Sequence, residues 1–212
     1  MLMNVVTAVV LVLGGILLCL QAWRRSDDRR AARVWTNLLR AAGQHDAVFD
    51  PSMLDGVPEP AKRYFRYVIR EGAPIRTVAV IRLSGEIGLG TRDNPNYRLM
   101  RAEQILAPPH GLVWKLDAGR GLKRIAGSDG FAAKSSWTRF WLTNTFPVVR
   151  AGGTSDHARA AFGRVVAEAV FWTPAALLCT FTGRAAARRN PAGCGINRQV
   201  VPRTGTPGAC RG

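Results

Sequence analysis

The stretch Leu99-Met-Arg-Ala-Glu-Gln-Ile-Leu-Ala-Pro-Pro-His-Gly-Leu-Val-Trp-Lys-Leu-Asp117 decides how the chain is read. It predicts two β-strands joined by the turn Pro108-Pro109-His110-Gly111. Leu112, Trp114 and Leu116 alternate with Val113, Lys115 and Asp117, the period of two that sends one set of side chains to a buried face. Proline cannot donate a ladder hydrogen bond and glycine accepts positive φ, so the break falls between the two runs. Glu103 and Gln104 are neighbours inside the first strand and therefore lie on opposite faces; one of them points toward the core side.

Working outward, Arg76–Leu89 predicts a strand with Ala79, Ile81, Leu83, Gly85 and Ile87 on one face and Arg82, Ser84 and Glu86 on the other. The spacing Gly85-x-x-Gly88-x-Gly90 runs from strand into turn, so it is not a dinucleotide fingerprint, which needs a helix next. On the other side, Leu122–Ala126 predicts a fourth strand and Gly127-Ser128-Asp129-Gly130 a tight turn. Phe131–Phe140 and Leu142–Val149 hold one or two further strands, with Trp137, Phe140, Trp141 and Phe146 packing. A helix follows over Ser155–Trp172, with Ser155 as N-cap and Ala158, Ala161, Phe162, Val165, Ala169 and Trp172 as its apolar face; Pro174 stops it. Successive strands with short connections pair antiparallel. The fold class is α+β: an N-terminal transmembrane helix, then a curved, half-barrel-like antiparallel sheet with a packing helix.

No charged residue occurs from Met1 to Trp23, enough helix to cross a hydrocarbon core of about 30 Å. Leu11, Val12, Leu13, Ile16 and Leu17 form the middle of this span, and Trp23, Arg24 and Arg25 mark its interfacial end. A cleaved leader needs a basic start and small residues at a cleavage site, and neither is evident. Arg24, Arg25, Arg29, Arg30 and Arg33 place the following domain on the cytoplasmic side by the positive-inside rule, although Asp27 and Asp28 dilute that signal. Val34, Trp35, Leu38, Leu39 and Ala42 continue as a juxtamembrane helix ending near Gly43, and His45–Pro58 reads as a linker. A short helix then carries Tyr64, Tyr67 and Val68 on one side and Lys62, Arg63, Arg66 and Arg70 elsewhere, either packed across the sheet or touching lipid headgroups or a partner. The organisation is residues 1–23 as membrane helix, 24–58 as juxtamembrane helix and linker, 59–178 as the α+β domain and 179–212 as a tail.

The net charge of +16 comes from 26 arginines and only four lysines against 14 acids. They are spread along the chain rather than gathered in one aromatic-rich stripe, so nucleic acid is not the expected partner; membrane lipid is. Four cysteines without a CxxC pair give no disulfide framework or zinc site, and His45, His110 and His157 are isolated. No metal or other cofactor is expected. From residue 179 the chain is rich in Arg, Gly and Pro without acidic residues, and reads as either a disordered basic tail or an out-of-frame translation.

Several spaced motifs join these elements. They are Leu54-x-x-Val57-Pro58-x-Pro60-x-x-Arg63-Tyr64, Ala102-Glu103-Gln104, Pro108-Pro109-x-Gly111-Leu112-Val113-Trp114, Phe146-Pro147-Val148-Val149 and Glu168-x-x-x-Trp172-x-Pro174-x-Ala176-Leu177-Leu178. Together they resemble an uncharacterised bacterial family of membrane-associated proteins of unknown function, over roughly Phe49 to Leu178. His110 is an extra residue in the turn relative to that pattern, and Ala132–Trp137 is less glycine-rich. The resemblance implies further strands after Leu178 and brings no activity with it.

The candidate ligand-binding residues are Glu103, Gln104, Trp114, Glu168 and Trp172. Glu103 either faces a ligand or pairs with a neighbouring-strand arginine such as Arg82 or Arg124. Three functions fit: a non-catalytic module binding a hydrophobic or lipid-like small molecule, a hydrolase-type enzyme using Glu103 with Glu168 or Asp129, and a structural partner of a membrane protein. The first requires an apolar surface that includes Leu83, Leu112 and Trp114.

Overall fold

The computed structural model of the chain describes residues 2–41 and 47–178; the tail and the chain around Gly43 and His45 lie outside them. A single helix, α1 (Leu2–Arg40), is followed by a 3-10 turn (Pro51–Leu54) and α2 (Glu59–Val68). Six strands then follow: β1 (Ala79–Gly88), β2 (Tyr97–Ala107), β3 (Gly111–Ala118), β4 (Ile125–Ala132), β5 (Ser135–Leu142) and β6 (Phe146–Gly152). β6 is followed by α3 (Ser155–Trp172). Every strand pairs antiparallel with its sequence neighbours in the order β1 to β6, so the sheet is open, with β1 and β6 as edges. The expected central pair is β2–β3, with Gln104 opposite Trp114 and Leu106 opposite Leu112.

One expected turn is not a turn. β4 runs straight through Gly127-Ser128-Asp129-Gly130, and the chain reverses instead at Ala133-Lys134, both at positive φ. The glycines answer to the neighbouring strand. A Cβ on Gly127 would stand 2.1 Å from the Arg139 carbonyl oxygen and 2.8 Å from the Phe140 ring. One on Gly130 would stand 2.6 Å from the Trp137 ring. Both glycines make room for aromatic side chains of β5 laid across β4. The region after β4 resolves into two strands joined at Thr143-Asn144. Leu122 belongs to a 3-10 turn, not to a strand. Thr154, not Ser155, caps α3: its Oγ1 accepts from the His157 backbone N–H at 3.2 Å.

The alternation of β2 and β3 assigns the two faces. Ile105, Ala107 and Val113 pack under the second half of α1 with Ala31, Leu38 and Trp137. Leu106, Leu112 and Phe131 pack under α3 with Val165. The sheet is therefore the middle layer between two helices. α1 is one uninterrupted helix whose first half is exposed and apolar enough to cross a bilayer, and whose second half belongs to the core.

Docking of α1 is fixed by charge. Asp27 is buried and pairs with Arg139 at 3.3 Å and Arg150 at 2.7 Å. Trp23 meets Trp141 edge to face at 5.5 Å, and the Arg150 guanidinium lies 4.3 Å over the Trp23 ring. Gln21 donates to the Asn144 carbonyl at 3.1 Å, and Arg24 to Asn144 Oδ1 at 2.7 Å.

The segment expected as a linker holds core residues. Phe49, Leu54 and Val57 cluster with Phe65, Ile69, Ile75, Ala175 and Leu178. The buried position of α2 is Phe65; Tyr67 is 91% exposed, because Phe65 and Ile69, four apart, are the pair that turns toward Leu54 and Leu178.

Two outcomes follow from this packing. Gly130→Ala lowers unfolding stability by about 1–3 kcal/mol through overpacking against Trp137, whereas Gly85→Ala, whose Cβ meets nothing within 4 Å, changes it by less than about 0.5 kcal/mol in denaturant titration. Asp27→Ala leaves two guanidinium groups without their carboxylate and costs about 3 kcal/mol, read in the same titration.

Candidate functional site

The α3 face of the sheet carries a polar cluster within apolar surroundings. Gln104 is buried on β2, Asp129 lies opposite Trp114 on adjacent strands, and α3 brings Arg164 and Glu168 over them. Arg164 Nε donates to Glu168 Oε1 at 2.6 Å, its Nη1 to Asp129 at 3.0 and 3.1 Å, and its Nη2 to Gln104 Oε1 at 3.0 Å. Gln104 Nε2 donates to Glu168 Oε2. The ring of bonds is closed: Gln104 both donates to the glutamate and accepts from the arginine that bridges the two acids. The Arg164 guanidinium also lies 5.7 Å over the Trp114 ring.

Burial pushes the Asp129 carboxyl above its ordinary value, with the Arg164 charge and hydrogen bond pulling the other way. Burial disfavours the Arg164 charge too, but bonds and charges from Glu168 and Asp129 outweigh it and hold its pKa above the ordinary arginine value. Beside this cluster opens a cleft of about 190 Å³ lined by Leu112, Asp129, Trp137, Thr138, His157 and Arg164. His157 Nδ1 is 2.7 Å from Ser136 Oγ and its Nε2 3.2 Å from Thr138 Oγ1, so both ring nitrogens have hydroxyl partners.

Gln104, Trp114 and Glu168 come together here. Glu103 and Trp172 do not. Glu103 points to the other face and pairs with Arg82 at 3.3 Å, both exposed. Trp172 is half exposed at the end of α3. A pair of Glu103 with Glu168 or Asp129 therefore does not form, because neighbouring strand residues face opposite ways. Asp129 is a mid-strand partner of Arg164 rather than part of the expected tight turn. Arg124 pairs instead with Asp117, whose carboxyl is held low by those hydrogen bonds.

Reading the sequence alone misses Arg164 and His157 as partners in this cluster. The available signal for Arg164 is its place three residues after Ala161 and four before Glu168, inside the apolar stripe of α3, where a charge needs a partner.

Fold and cluster together define an open six-stranded α+β domain with a closed polar ring beneath its C-terminal helix. Residues 47–181 match the family described as "Family of unknown function (DUF6544)", and the chain belongs to that family. No curated protein and no solved structure matches it.

Replacing Arg164 by Met leaves two carboxylates facing each other without their cation, at a cost of about 2–4 kcal/mol at neutral pH. Without the arginine nothing offsets the burial that already pushes the Asp129 carboxyl up, so its folded-state value stands further above the unfolded one. The folded form then binds more protons, so the deficit grows as pH rises from the unfolded pKa, about 4, through the folded one, and it shrinks on acidification. Urea titrations at pH 4.5 and 7.5 give the larger deficit at pH 7.5.

Proposed function

We propose that this protein is a membrane-anchored, non-catalytic binding module for a hydrophobic or lipid-like ligand. The observation that carries the reading is the part of the sheet that α3 leaves uncovered. There Leu83, Ile87, Met100, Trp114 and Phe140 surround Ala102, Leu116 and Ala118. The five larger side chains are only partly buried, and this cluster is made of strand residues alone. Of the apolar residues expected to line such a surface, Leu83 and Trp114 belong to it, whereas Leu112 is fully buried beneath α3. Aromatic and aliphatic side chains beside a few fixed polar groups are the usual lining of a small-molecule site.

The uncovered cluster also lies near the anchor. Its members Ile87, Met100 and Ala118 sit toward the sheet end whose β5–β6 turn is bonded to Gln21 and Arg24, where the apolar half of α1 stops. An apolar molecule leaving a bilayer meets this surface first. The arginine-rich flank after Trp23 favours a cytoplasmic domain. The polar ring supports binding rather than hydrolysis, since each of its carboxylates is already engaged by Arg164.

The test is native mass spectrometry of the full chain released from detergent micelles. One lipid-mass adduct is expected to survive release, to be lost in Met100→Glu and to be kept in Tyr67→Glu, which alters an exposed residue of α2. An adduct retained by Met100→Glu, or none in the unaltered protein, overturns the reading.

A further inference from the structure

The register gathers three connections at one end of the sheet. Gly88 pairs with Tyr97, Ala118 with Ile125 and Leu142 with Phe146, so the chain at 89–96, 119–124 and 143–145 shares that end. The same end is tied to α1 at the boundary of its apolar half, through the bonds from Gln21 and Arg24 to Asn144 and from Gln21 to Thr145 at 3.0 Å. The helix from Leu2 to Gln21 rises about 30 Å at 1.5 Å per residue, the thickness of a hydrocarbon core. Trp23, partly exposed, stands where tryptophan gathers at a membrane interface. If α1 spans, the bilayer surface is level with the 143–145 turn, and the other two connections lie at that same end of the sheet.

What those connections carry suits that position. Leu122 is 86% exposed at the tip of the 3-10 turn, flanked by exposed Arg120 and Lys123. The 89–96 loop adds exposed Arg92, and Tyr97 and Phe146 are exposed beside the connections. Of the acids near this end, Asp117 is paired with Arg124 and Asp28 with Arg24. Glu86 is exposed two residues before the end of β1, and Asp93 is the acid within these connections, which also carry Arg92, Arg120, Lys123 and Arg124. The turns at the opposite end, Pro108-Pro109-His110 and Ala133-Lys134, carry no large exposed apolar side chain.

We propose that this end of the sheet rests on an anionic lipid surface, with Leu122 among the acyl chains and Arg92, Arg120 and Lys123 against headgroup phosphates. An exposed leucine alone is ordinary. Here it stands between two cations, at the end of the sheet that is tied to the close of the apolar span, and each basic residue near an anionic surface adds attraction. The proposal rests on α1 crossing the bilayer, and the experiment separates the two.

The full chain, with its four cysteines replaced by alanine, receives a single environment-sensitive fluorophore at Val12→Cys, Leu122→Cys or His110→Cys. Each is reconstituted into phosphatidylcholine vesicles with or without phosphatidylglycerol, and quenching by doxyl-labelled lipid is read. Quenching of at least twofold is expected at positions 12 and 122 in the anionic vesicles and none at 110. The quenching at 122 is expected to fall on adding Arg120→Glu with Lys123→Glu. Quenching at 12 without quenching at 122 overturns the docking and leaves the anchor standing; no quenching at 12 overturns both. Quenching at 122 that ignores the charge reversal or the lipid charge overturns the headgroup assignment.

Discussion

The buried carboxylate of Asp27 between Arg139 and Arg150 is the constraint on which the arrangement depends. An acid inside a helix–sheet interface is costly unless paired, and here the two guanidinium groups come from adjacent strands, β5 and β6. The triad therefore sets the register of α1 on the sheet and holds the sixth strand to the fifth. Trp23 and Trp141 close over it, with Arg150 stacked against both rings. Sliding α1 by one turn would leave the acid against apolar strand residues and the arginines without a counter-ion.

On the other face the same device recurs with the signs reversed. A single cation, Arg164, serves two acids and a buried amide. Each helix is thus located by one polar knot within an apolar contact. α3 covers the sheet over Leu106, Leu112, Phe131 and the polar ring at Gln104 and Asp129, and the strand surface beyond them is left uncovered by this helix. The proposed binding role rests on that asymmetry more than on any single side chain.

Much of the sheet is legible where its residues alternate. Residues 81–87 of β1 and 114–118 of β3 show apolar and polar positions in turn, whereas residues 105–107 and 112–113 are buried on both faces. β4 was not legible. Its glycines look like turn residues, and their real cause, the rings of Trp137 and Phe140, sits on a strand that no local window contains. Gln104 could be read as a polar residue aimed inward, but its partner Arg164 lies 60 positions further on. Asp27 was harder still. Among arginines beside an apolar span it looked like a weakening of a topogenic signal, and only the fold shows that it is the span's link to the domain. In the same way the supposed linker proved to be core, since Phe49 and Leu54 find their contacts at Ala175 and Leu178.

The continuity of α1 has a mechanical consequence. A helix of 39 residues is a rod about 58 Å long, and no proline or other break divides its apolar half from the half packed on the sheet. The domain is thus not hung from its leading segment by a joint but carried on it like a blade on a shaft. Any rotation or inclination of the leading half is delivered undiminished to the six strands, and any load on the strands is returned along the same axis.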